Sequence, residues 1–98
     1  MVRDAIRGRL MKTLSSNREL YDYLVVLALE LKQRGLASLG EAVDFACGQA
    51  SSSSTEFLGE SRLALRRVVT EENGVLTAQQ RSDVVDVLSQ IENALDTR

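Results

Sequence analysis

At 98 residues, the chain is the size of one domain built on one hydrophobic core. Its 44% hydrophobic and 27% charged residues exclude a disordered composition, and a net charge of −2 supplies no general phosphate-binding surface. With no histidine and one cysteine, Cys47, it lacks the means for an internal disulfide, the usual zinc ligand sets, or a Ser-His-Asp or Cys-His triad.

The absence of proline and the spacing of apolar residues predict helices throughout. The first is expected over 2–14, where Val2, Ile6, Leu10 and Leu14 recur every four residues beside Arg3 and Arg7. Arg3, Arg7, Arg9 and Lys12 oppose only Asp4 here; we read a basic first helix rather than a targeting presequence. Ser15, Ser16 and Asn17 supply capping side chains for the next start.

The second helix is expected over 18–34. Ten of the twelve residues from Leu20 to Leu31 are apolar, and a helix apolar on nearly every side must be covered on nearly every side. That stretch is too short, and too interrupted by Asp22 and Glu30, to span a membrane. Lys32 and Arg34 suit its last turn, and Gly35 its left-handed stop. The third helix, 39–48, is expected to open on a capping box, Ser38 with Glu41.

Ser51 to Ser54 form the one low-complexity run and predict a turn or cap. Ser53 and Glu56 repeat the box pattern ahead of a fourth helix, 54–72, which Asn73-Gly74 would end. Thr77 and Gln80 form a third box ahead of the fifth helix, 78–96. Its apolar seam is Val84, Leu88, Ile91 and Leu95, widened by Val87 and Ala94, with Asp83, Asp86, Gln90, Asn93 and Asp96 on the solvent side. The expectation is one all-α domain over 1–98, a bundle of about five helices.

Motifs for chemistry are weak. Gly59-Glu60-Ser61-Arg62 resembles half of a nucleophile elbow, but Leu63 replaces the second glycine and no strand precedes it; a small residue for close helix packing is the better reading. Cys47 sits in an apolar run with no nearby cation, as a core cysteine does. The Ser51–Ser54 run has the hydroxyls of an anion site, but Glu56 would occupy that helix terminus. Arg62, Arg66 and Arg67 could pair with acids on the last helix, such as Asp83 and Asp86, or meet an acidic partner; the internal or solvated reading is favoured. A helix-turn-helix between Glu41 and Val68 fails on turn length and on the near-neutral second helix.

The apolar second helix carries the functional expectation: a small, non-enzymatic interaction or regulatory module of the cytoplasm, needing no cofactor or metal. A partner protein or a second copy, as in a homodimer, would cover Leu20, Tyr23, Leu24 and Leu27, or the open side of Val2, Ile6 and Leu10. The alternatives are a bundle binding a small apolar ligand between the second, fourth and fifth helices, and a nucleic-acid-associated regulator using the basic first helix. Nucleic acid is the disfavoured partner on charge.

Overall fold

The computed structural model describes residues 16–96. The helix expected over 2–14, with Val2, Ile6 and Leu10, lies outside the described residues. Among those described, the fold is all-α: α1 (Asn17–Gln33), α2 (Ala37–Cys47), a single 3-10 turn (Gly48–Ser51), α3 (Ser54–Glu71) and α4 (Ala78–Asp96).

Each boundary has a local cause. The Ser16 hydroxyl accepts from the Glu19 amide at 3.2 Å and starts α1. At the other end Gly35, with φ +87°, reverses the chain. Its amide donates to the Lys32 carbonyl at 3.1 Å, and the Leu36 amide donates to the Leu31 carbonyl at 2.8 Å. This is a Schellman ending, with Leu36 folded back onto the core. The same turn overrides the expected capping box at Ser38. The chain leaves it already helical at Ala37, its N-cap is Leu36, and no side chain caps that end. Ser38 Oγ instead lies 3.4 Å from its donor, Arg67 Nη2.

The other two boxes form. Ser53 Oγ accepts from the Glu56 amide at 3.1 Å. Thr77 Oγ1 accepts from the Gln80 amide at 3.0 Å, and Gln80 Oε1 accepts from the Thr77 amide at 2.9 Å. Between them Asn73 and Gly74, with φ +54° and +78°, turn the chain from α3 into α4.

Successive helices run antiparallel. Lys32, near the end of α1, pairs with Asp44 of α2, while Tyr21, near its start, lies beside Ala50 and Ser51. Arg67 of α3 reaches Ser38, and Phe45 lies across from Glu60. Arg66 of α3 pairs with Glu92 of α4 at 2.6 Å. Leu20 of α1, Leu58 of α3 and Ile91 of α4 line one shared depression, which sets these three helices side by side there. The helices α1 and α2 approach closely at Gly40, where an added Cβ would stand 2.6 Å from Lys32 Cγ and 3.0 Å from the Ala28 carbonyl oxygen.

The core is read off these faces. Leu20, Leu24, Leu27 and Leu31 recur at three- and four-residue intervals along α1 and are buried. Val43 and Ala46 come from α2, Phe57, Leu65 and Val68 from α3, and Val84, Val87 and Ile91 from α4. Burying a side chain such as Phe57 or Leu24 stabilises the fold by about 1.5–3 kcal/mol each. Leu88, Ala94 and Leu95 of the expected α4 seam are half-buried at its edge.

Candidate functional site

The structure corrects the expected interface on α1. Leu20, Leu24 and Leu27 are core residues of the chain itself, so none is available to a partner while it stays folded. Tyr23 packs against that core, with its phenol near Asp83 and Asp86 of α4 and Glu30 of α1. Burial, then those three carboxylates, holds the phenol well above its ordinary pKa. The open side of α1 is instead Tyr21, Val25, Val26 and Leu29. Periodicity could not separate these two sides, because apolar residues occupy both.

A second apolar surface lies between α2 and α3. Ala42, Phe45, Leu63 and Ala64 line a groove of about 360 Å³, and Glu60 and Arg67 complete its walls. Phe45 is 61% exposed and Leu63 54% exposed, the largest aromatic and one of the largest aliphatic exposures among the described residues. Both stand just off the buried stripes of their helices: Phe45 between Val43 and Ala46, Leu63 between Ser61 and Ala64. A helical wheel built on Leu39 and Val43, and one built on Phe57 and Leu65, would have placed them outside the core.

Arg67 is fixed at the edge of this groove. Its Nε and Nη2 donate to the two carboxylate oxygens of Glu71 at 3.1 and 3.0 Å. The carboxylate keeps the guanidinium charged beyond its usual range, and the guanidinium keeps the Glu71 carboxyl below its own. The arginine cluster meets its expectation in part: Arg66 takes an acid of the last helix, Glu92 rather than Asp83 or Asp86, whereas Arg67 takes Glu71 of its own helix and Arg62 Nε is buried without an acceptor among the described residues. Asp86, expected on the solvent side, has a buried Oδ2 without a donor.

The remaining motifs resolve as structure. Ser61 is wholly buried in the middle of α3, far from the exposed turn that a nucleophile elbow requires. Gly59 is not a close-packing site either, since a Cβ there would meet nothing within 4 Å. The serine run is spent on the fold: Ser53 caps α3, and Ser54 Oγ accepts from Asn17 Nδ2 at 3.0 Å, tying the start of α1 to the start of α3. Cys47 is half-buried, and burial followed by the charge of Asp44 pushes its thiol up to about 11.

A depression of about 200 Å³ lies where the expected ligand pocket would be, lined by Leu20, Leu58, Ile91 and Ala94 with Ser16, Asn17 and Gln90. Among the described residues no group of three or more histidines, cysteines or carboxylates could hold a metal, and no helix is long and apolar enough to cross a membrane. No family model, curated protein or solved structure matches the chain.

Proposed function

We propose that this chain is a non-enzymatic protein-interaction module of the cytoplasm that binds through the α2/α3 face. The observation that carries the reading is the pair Phe45 and Leu63, more than half exposed and adjacent across one groove. Single exposed apolar residues are common on any protein, whereas an aromatic and an aliphatic residue sharing a groove with charged walls has the makeup of a binding surface. The raised thiol of Cys47 fits a packing role in a reducing compartment.

The ligand-binding alternative has less support, because about 200 Å³ falls below the roughly 300–1,000 Å³ of small-molecule sites. The nucleic-acid alternative has less again. Among the described residues Arg18, Lys32, Arg66, Arg67 and Arg81 each face a carboxylate of this chain, which leaves Arg34 and Arg62 outside those pairs; Arg3, Arg7, Arg9 and Lys12 lie outside the described residues.

The test is photo-crosslinking in cells from a probe at position 45 or 63, with position 85, exposed on α4, as the control. Adducts from 45 and 63 but not from 85 are expected, and Leu63→Asp should remove the adduct at 45 while the melting curve stays cooperative. Absence of adducts from both groove positions overturns the reading.

A further inference from the structure

The α2/α3 groove has charged walls placed symmetrically about its apolar centre. Leu63 and Ala64 form that centre on α3; Glu60 stands three residues before Leu63, and Arg67 three residues after Ala64. At about 1.5 Å of rise per residue, the two charges lie roughly 10 Å apart along the helix, on one face.

We propose that the groove is closed by a second copy of this chain, with α3 running antiparallel to α3 of the partner about a two-fold axis between Leu63 and Ala64. This rests on the reading of the face as an interaction surface. A two-fold axis brings the same patch together from both sides, so each residue must find its complement within its own patch. Here Glu60 meets the partner's Arg67, Arg67 meets the partner's Glu60, and the two Leu63 side chains meet at the centre, flanked by the two Phe45 rings. A parallel pairing would set Glu60 against the partner's Glu60 and Arg67 against the partner's Arg67.

Both charges are disposed for this. Among the described residues no cation pairs with Glu60. Arg67 is already fixed by Glu71 through Nε and Nη2, and its Nη1 has no acceptor among the described residues. Its guanidinium is therefore held in place before any partner arrives, which lowers the ordering cost of association.

Sedimentation equilibrium over a wide concentration range tests the proposal. The wild type should approach twice 10.8 kDa. Glu60→Arg and Arg67→Glu should each weaken self-association by about tenfold or more, because each sets like charges opposite one another twice. An equimolar mixture of the two variants should recover a dimer, since opposite charges then face each other at both ends. Leu63→Cys in a Cys47→Ala background gives a readout independent of charge: mild oxidation should link two copies, while Val85→Cys in that background stays monomeric.

A wild type monomeric at all concentrations overturns the second copy as occupant. The interaction face would then stand if the probes at 45 and 63 captured a different protein, and fall with the proposal if they captured none. A wild-type dimer insensitive to both charge variants, or a mixture that fails to recover, overturns the antiparallel register.

Discussion

Arg81, itself partly exposed, clamps the buried Glu72 at the α3/α4 turn. Its Nε donates to Glu72 Oε2 at 2.9 Å, and its Nη2 donates to the Leu76 carbonyl at 3.2 Å. The other carboxylate oxygen, Oε1, accepts from the Leu76 amide at 3.0 Å, and Glu72 is only 5% exposed. One carboxylate and one guanidinium thus satisfy both polar groups of Leu76, whose side chain is in the core.

Removing the carboxylate strands a buried amide and a guanidinium. Glu72→Ala should cost about 2–3 kcal/mol. Arg81→Ala should cost about 1 kcal/mol, because that side chain is partly exposed and water takes over part of its role. Urea unfolding measures both, and equal costs would refute this division.

The same carboxyl sets an acid limit. The Leu76 amide first, then Arg81, holds Glu72 below the usual glutamate range. The stabilisation it gives is therefore complete above the unfolded value of about 4.3 and is lost as pH falls through the lower folded value. The gap in melting temperature between wild type and Glu72→Gln should be constant near neutrality and shrink on acidification below about pH 4. A gap that widens in acid would reverse the assigned sign.

Two glycine-to-alanine changes should act in opposite directions. Gly59→Ala enters open space in the interior of α3 and should stabilise by about 0.5–1 kcal/mol through helix propensity. Gly40→Ala drives a methyl into Lys32 Cγ and the Ala28 carbonyl, and should destabilise by about 1–3 kcal/mol as α1 and α2 separate. Paired thermal melts decide this, and two shifts of the same sign would show that the closeness at Gly40 is not limiting.

Ser61 is wholly buried, and its hydroxyl has no partner among the described residues. Ser61→Ala should leave stability unchanged or raise it by about 1 kcal/mol, since an unpaired buried hydroxyl carries a desolvation cost without a return. A loss of more than that would reveal a bond the hydroxyl makes.

Cys47 should be a slow nucleophile. A thiol at about 11, against an ordinary value of 9.0, holds about a hundredfold less thiolate near neutral pH. Alkylation by iodoacetamide should be slower in the native protein than in urea, by less than that factor because a more basic thiolate is the better nucleophile. Equal rates would place the thiol in an unperturbed, open environment.

Much of the fold was legible because its signals are local. The boxes at Ser53 and Thr77 need only a hydroxyl and an acceptor side chain three residues on, and the expected 78–96 helix is found as Ala78–Asp96. Gly35 and the Asn73-Gly74 pair stop helices because left-handed backbone suits those residues, whatever packs above them. Ser38 shows the limit of such signals. Its box pattern is intact, but the Leu36 amide bond that closes the previous helix starts α2 two residues too early for that serine to cap it.

The sequence by itself determined an all-α chain with its breaks at Gly35, the serine run and Asn73-Gly74, and it removed the usual zinc ligand sets and histidine-based triads by lacking the residues. Only the tertiary structure decided which side of α1 is covered, that Glu72 rather than Glu71 is the buried acid, and that Phe45 and Leu63 share an open groove. The physical reason is that a helix apolar all round carries no record of which neighbours it will have. That choice is made by the close approach at Gly40 and by the antiparallel return of α3 and α4, contacts between residues far apart in the chain.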